Sequence, residues 1–296
     1  GYGQGGGGGG ATYGAQPQYN SQRGGAIARN EAPLRIVPIA DLNPYQNRWT
    51  IRARVTSKSE LRRWSNQRGD GRLFSFDLLD EYGGEIRCTC FNNTADKFIE
   101  TVRQGAVYTI SKGTLRAARK AYNPLNSDYE ISLESTSVVE EVLDDPGVSR
   151  IPTMIYKFRK IADIQNTAAG EVVDVVGVIQ SVAEMVQLTR RDGTECHKRT
   201  VSIADDSGRS IEVTLWGNLG ATEGKEMEDM MMDGGPVVVA CKSLRVGDFG
   251  GRSLGSISSS SFALRDTERP EVRALREWAA AGGLAAGGGS SLTSAG

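Results

Sequence analysis

The chain has 296 residues, 35 Lys and Arg against 36 Asp and Glu, one histidine and a formal net charge of −1. At 39% hydrophobic and 24% charged it can bury a core, and its length allows two domains of ordinary size. A total charge so near zero argues, at first sight, against a polyanion partner, whose usual signature is a basic surplus.

In chain order, residues 1–33 are a Gly/Gln/Tyr/Ser stretch that cannot offset its ordering entropy and reads as a disordered tether. Short runs of alternating apolar residues follow, broken by Gly, Asp and Asn. They predict strands at 49–55, 73–79, 85–91, 107–112 and 129–133, forming a first domain over 34–142. Residues 143–153, with two prolines and a glycine, read as an interdomain linker. A second domain over 154–267 repeats the pattern, with strands at 172–179, 200–204, 210–216, 236–242 and 252–258. Residues 268–282 read as an amphipathic helix with Pro270 in its first turn, and Gly282 ends it. The Gly/Ala/Ser-rich stretch 283–296 reads as a second flexible linker.

The two strand sets form an internal repeat. Residues 78–93 align without a gap on 203–218, pairing Asp80 with Asp205, Gly83 with Gly208, Thr89 with Thr214 and Phe91 with Trp216. Each copy carries a helical insert after its third strand. In the first, Ala95, Phe98, Ile99 and Val102 fall at helical spacing. Three strands, a helix and two strands are the order of an OB-fold, so the expected fold is all-β, two tandem five-stranded Greek-key barrels.

Strand parity then singles out residues. In 85–91, Ile86, Cys88 and Cys90 face one way, and Arg87, Thr89 and Phe91 the other. In 210–216, Thr214 and Trp216 likewise oppose an apolar stripe. An aromatic exposed on both copies is a base-stacking platform, although a ring covering one end of a barrel would look the same in a single copy. Tyr122 and Phe249 recur in the turn before the last strand, among Arg116, Arg119, Lys120 and Arg245. Trp64 sits among Arg62, Arg63 and Arg68 in the expected loop between strands one and two, and the matching loop carries Lys198. Cations interleaved with aromatics suit a nucleic-acid strand, the former for phosphates and the latter for bases. The paired acids Asp80–Glu81 and Asp205–Asp206 precede glycines and are explained by turn chemistry.

Other chemistry has little support. Four cysteines in so long a chain are no disulfide framework, and neither Cys88-x-Cys90 nor the adjacent Cys196-His197 has zinc-site spacing. No G-x-x-x-x-G-K-[ST] loop occurs, and no apolar run approaches the roughly 18 residues of a membrane-spanning helix. An enzyme, a metal site, a bound cofactor and a membrane partner are therefore not expected. The charge total is itself an average. Residues 45–122 hold 15 Lys and Arg against 8 Asp and Glu, while residues 123–150 hold seven acids and one Arg.

Residues 36–92 and the pieces LWGN and RVGDFGGRS resemble the central DNA-binding domains of the replication protein A large-subunit family, a resemblance that runs from about Leu34 to Trp278. The resemblance implies sequence-tolerant binding of single-stranded DNA in replication, repair and recombination, in the nucleus. It places stacking aromatics at Phe91, Tyr122, Trp216 and Phe249. Polar and basic contacts fall at Arg62, Arg68, Arg87, Arg116, Glu130, Lys198 and Arg245. Partners would be the other subunits of the family's heterotrimer, along with replication and repair proteins. The family's N-terminal interaction domain and its C-terminal zinc and trimerisation region have no counterpart in this sequence. Telomere-end or RNA binding, and an OB module that binds protein, are the rival readings.

Overall fold

The computed structural model describes residues 35–46, 48–67, 69–143, 145–190, 193–248, 250–286 and 290–293. Arg68, Phe249 and the expected tether at 1–33 lie outside them.

Ile51, Ala53 and Val55 alternate with Arg52 and Arg54, which makes β1 (Thr50–Lys58) a strand with one buried face. There follow β2 (Arg62–Asn66), β3 (Gly69–Leu79), β4 (Glu85–Phe91), α1 (Asn93–Phe98), β5 (Val107–Ser111), β6 (Thr114–Ala117), β7 (Tyr129–Ser132) and β8 (Val138–Glu141). β3 pairs antiparallel with β1 and β4, β4 runs parallel to β7, β7 pairs with β6, and β5 returns to β1. β5 and β6 are two halves of one bent strand, with Lys112 at φ +58° near the corner. The ring closes around Phe74, Phe76, Ile86, Cys88, Ile110 and Ile131, all buried, with Phe98 of α1 packed against it.

The second barrel repeats this plan. After α2 (Ile161–Ile164) come β9 (Val172–Val182), β10 (Val186–Thr189), β11 (Glu195–Ala204), β12 (Ser210–Trp216), α3 (Asn218–Ala221), α4 (Glu223–Met232), β13 (Val238–Gly247) and β14 (Ser253–Ala263). The closed order is β9-β11-β12-β14-β13. The duplication extends to backbone angles. Ser243 bends β13 at φ +58° as Lys112 does in the first barrel, and Gly217 (φ 64°, ψ −133°) turns the chain into α3 where Asn92 (φ 49°, ψ −120°) turns it into α1. α5 (Pro270–Ala280) lays Val272 and Leu275 on Val178, Val238 and Ala240, on the outside of the second barrel.

The structure departs from expectation in four places. The expected loops 58–72 and 188–199 are β-hairpin arms: β2 pairs with the start of β3, and β10 with the start of β11. β14 runs to Ala263, because the serine-rich stretch keeps its ladder with β13 although serine hides the apolar alternation. The 143–153 segment is fastened to the first barrel. Arg52 Nη1 meets Asp145 Oδ2 at 2.5 Å, and Arg54 donates to the carbonyls of Val148, Ile151 and Pro152 at 3.0–3.1 Å. Within the expected flexible tail, residues 290–293 are seated on the second barrel, with Leu292 in its core. All four cysteines are free and buried, and burial pushes the Cys90 thiol up to about 12.

The turn acids do more than make turns. Asp80, 3% exposed, accepts N–H bonds from Tyr82 (3.0 Å), Gly84 (2.7 Å) and, across the fold, Ile39 (2.7 Å). Asp205 does the same for Ser207 and Ile161. Each carboxylate therefore fastens the segment leading into its barrel. Asp80→Ala leaves three backbone donors without their acceptor and is expected to lower unfolding stability by about 3 kcal/mol, read by urea denaturation.

Candidate nucleic-acid interface

In the first barrel, the outward residues of β4 are Arg87, Thr89 and Phe91. Phe91 lies opposite Leu73 and is half-buried. On the β2–β3 arm, Trp64 is opposite Gly71, and a Cβ at Gly71 would stand 2.0 Å from the indole Cζ2. Only glycine lets the ring lie there, and it remains 37% exposed. Arg62, on the same arm, is exposed. Tyr122 projects from the β6–β7 loop, 76% exposed.

A ladder of alternating charge crosses this face. The pairing puts Asp77 of β3 beside Arg87 of β4, Arg87 beside Glu130 of β7, and Glu130 beside Arg116 of β6. Asp77, Arg87 and Glu130 are each less than a tenth exposed, and Arg116 faces solvent. Arg87 Nε and Nη2 grip Asp77 Oδ1 and Oδ2 at 2.7 and 2.8 Å, and Nη1 donates to the Tyr122 carbonyl at 2.5 Å. The expectation of an outward cation at Arg87 is thus corrected: its donors are engaged internally, and one of them holds the loop that carries Tyr122. Glu130 Oε2 accepts long bonds of 3.4 Å from the Arg119 amide and Asn123 Nδ2. Lys120 Nζ turns back to the carbonyls of Leu125 and Ser127. Among the described cations of this face, Arg62 and Arg116 are exposed without an ion pair, and Arg119 stands 3.8 Å from Glu130.

Sequence reasoning missed Asp77 and Asn123. Asn123 is 2% exposed, and its Oδ1 accepts from the Leu125 amide. An acid inside the apolar run LFSFDLL was the available signal. Its meaning depends on a register that places it opposite Arg87.

In the second barrel Trp216 is 40% exposed. Its amide donates to Ser256 Oγ at 2.9 Å, and its indole Nε1 would lie 3.5 Å from a Cβ at Gly255. Thr214 pairs with Gly255, Arg245 pairs with Gly255 from the other side, and Lys198 pairs with Trp216. Arg245 is exposed, and Lys198 and Thr214 are half-buried. Arg199, next to Lys198 on β11, turns inward to Gly224 O and Glu228. The ion-pair ladder has no counterpart here, since Ser202 and Glu212 stand where Asp77 and Arg87 stand in the first barrel. Among the described residues, no group of His, Cys, Asp and Glu is arranged to hold a metal ion.

Residues 161–265 match the Replication protein A OB domain family, and residues 49–139 match a family described as OB-fold nucleic acid binding domain. A replication protein A 70 kDa DNA-binding subunit from Arabidopsis thaliana is 46% identical over 268 residues, covering 90% of this chain and 41% of the relative. Over nine tenths of its length the chain is similar to the 70 kDa DNA-binding subunit of replication protein A. A 70 kDa DNA-binding subunit from Oryza sativa subsp. japonica is 46% identical over 92% of the chain and 41% of its own length. A solved replication protein A heterotrimer bound to ssDNA matches with 38% identity and a TM-score of 0.63, over 87% of this chain and 57% of that one. The chain spans about two fifths of the length of these large subunits.

Asp77→Ala is expected to cost about 3–5 kcal/mol, because it leaves the Arg87 guanidinium buried without its counter-charge. The same variant should speed amide exchange in the Tyr122–Leu125 loop more than in the second barrel. Denaturation and hydrogen exchange read the two effects.

Proposed function

We propose that this chain binds single-stranded DNA with little base preference and without catalysis. Bases stack on Phe91, Tyr122, Trp216 and Phe249, with Trp64 as a further ring on the first barrel's arm. Arg62, Arg68, Arg116, Arg119, Lys198 and Arg245 meet phosphates, whereas Arg87 and Glu130 hold the first barrel's ring-bearing loop. The observation that carries this reading is the repeated placement of a large ring at the end of β4 and of β12, beside cations, on the side of each strand turned away from its core. Every base offers a π-face, so stacking tolerates any sequence. Two barrels on one chain make the second engagement intramolecular, and avidity exceeds either barrel alone.

The similarity to these DNA-binding subunits supports a nuclear protein of replication, repair and recombination that works with the other subunits of a replication protein A heterotrimer and with replication and repair proteins. The basic surplus of residues 45–122 makes the first barrel the tighter and more salt-sensitive partner.

Fluorescence anisotropy with labelled oligo-dT, compared with duplex DNA at two salt concentrations, tests the proposal. Phe91→Ala combined with Trp216→Ala should weaken single-strand binding by about tenfold or more, from a stacking contribution of ~1–3 kcal/mol per base. An unchanged affinity in the folded double variant, or an affinity indifferent to salt, contradicts it.

A further inference from the structure

β12 and β14 run parallel, and their ladder spans only Val213 with Leu254 and Thr214 with Gly255. In the first barrel the equivalent strands stay joined one pair earlier, through Arg87 and Glu130. The position matching Arg87 is Glu212, and there the strands of the second barrel have parted. Residues 290–293 fill the gap. Ser291 bridges Ser210 in parallel, and Thr293 bridges Gly251 in antiparallel fashion. The Leu292 amide donates to Ser210 O at 2.8 Å, and its carbonyl accepts from the Arg252 amide at 2.9 Å. The Thr293 hydroxyl donates to Arg252 O at 2.6 Å and accepts from the Glu212 amide at 3.1 Å. The Leu292 side chain, 9% exposed, joins the core of the second barrel.

We propose that the seam between β12 and β14 is a binding slot for a short peptide, a leucine flanked by hydroxyl residues, and that the chain's own 290–293 segment is its occupant. The recognition elements are distinct. Four backbone groups, Ser210 O, Glu212 N, Arg252 N and Arg252 O, would be left unpaired at a strand edge, and an added strand satisfies them. The apolar socket takes one branched side chain. The hydroxyl of Thr293 is both donor and acceptor, so it meets an amide on one strand and a carbonyl on the other. Covalent attachment gives the segment a high effective concentration, and the slot is filled in cis. The slot adjoins the support of Trp216: Gly255, beneath the indole, lies three residues beyond Arg252 on the same chain.

Amide hydrogen exchange on the full 296-residue chain, compared with Leu292→Asp, tests the slot. Exchange at Glu212 and Arg252 should be tenfold faster or more in the variant, while core amides such as Val175 and Ile203 report that the barrel remains folded. Thr293→Val, which carries no charge, should speed exchange at Glu212 alone. A synthetic peptide of residues 288–296 should bind the Leu292→Asp chain saturably and restore protection at both amides, but bind the native chain weakly because its slot is full. Unchanged exchange in the folded Leu292→Asp chain overturns the proposal. So does a peptide that, at millimolar concentration, neither binds that chain nor restores its protection.

Discussion

The outer face of the first barrel depends on the buried Asp77–Arg87 pair. A guanidinium less than a tenth exposed is costly unless its donors are satisfied, and here two meet a carboxylate and one meets a loop carbonyl. The pair ties β3 to β4 beside the parallel seam with β7. It also anchors the Tyr122 backbone, which lets that ring stand 76% exposed on a loop of fixed origin. The exposed ring and the buried charge are thus parts of one arrangement. A stacking surface needs a ring in solvent, and a ring in solvent has no packing of its own to hold it.

The duplicated barrels solve this problem differently. The first uses charge: Asp77, Arg87, Glu130 and Arg116 alternate in sign across four strands. The second uses close approach, with a glycine beneath the Trp216 indole, a serine hydroxyl on the Trp216 amide, and a segment from the far end of the sequence in the seam alongside. The net charge of −1 conceals this difference, because a basic first barrel is followed by an acidic stretch that cancels it. The distribution of charge bears on function, and its total does not.

Much of this was legible in the residues. The strands β4 and β12 agree with the expected 85–91 and 210–216, because clean alternation runs between turn residues, Gly84 and Asn92 in the first copy and Gly208 and Gly217 in the second. α5 follows its Pro270 signal. The hairpin arms were not legible, since β2 sets one aromatic, Trp64, among polar and charged residues with no buried face, and only its pairing with β3 defines it as a strand. Arg87 shows the same limit at the site. Strand parity placed it on the outer face, but its burial comes from Asp77, ten residues away in sequence and opposite it only through the hairpin register. The seating of Leu292 depends on a gap between two strands that no local pattern records.

The central claim is that the exposed rings are where single-stranded DNA stacks, and the four tryptophans provide an internal control. Trp64 and Trp216 are exposed, Trp49 is 7% exposed in the first core, and Trp278, half-buried on α5, packs against the second barrel. A titration of the isotopically labelled chain with oligo-dT, following the four indole N–H resonances, reads each separately. Large shifts are expected at Trp64 and Trp216, with Trp49 and Trp278 nearly unmoved. Saturable DNA binding that leaves the Trp216 indole unshifted would contradict the claim.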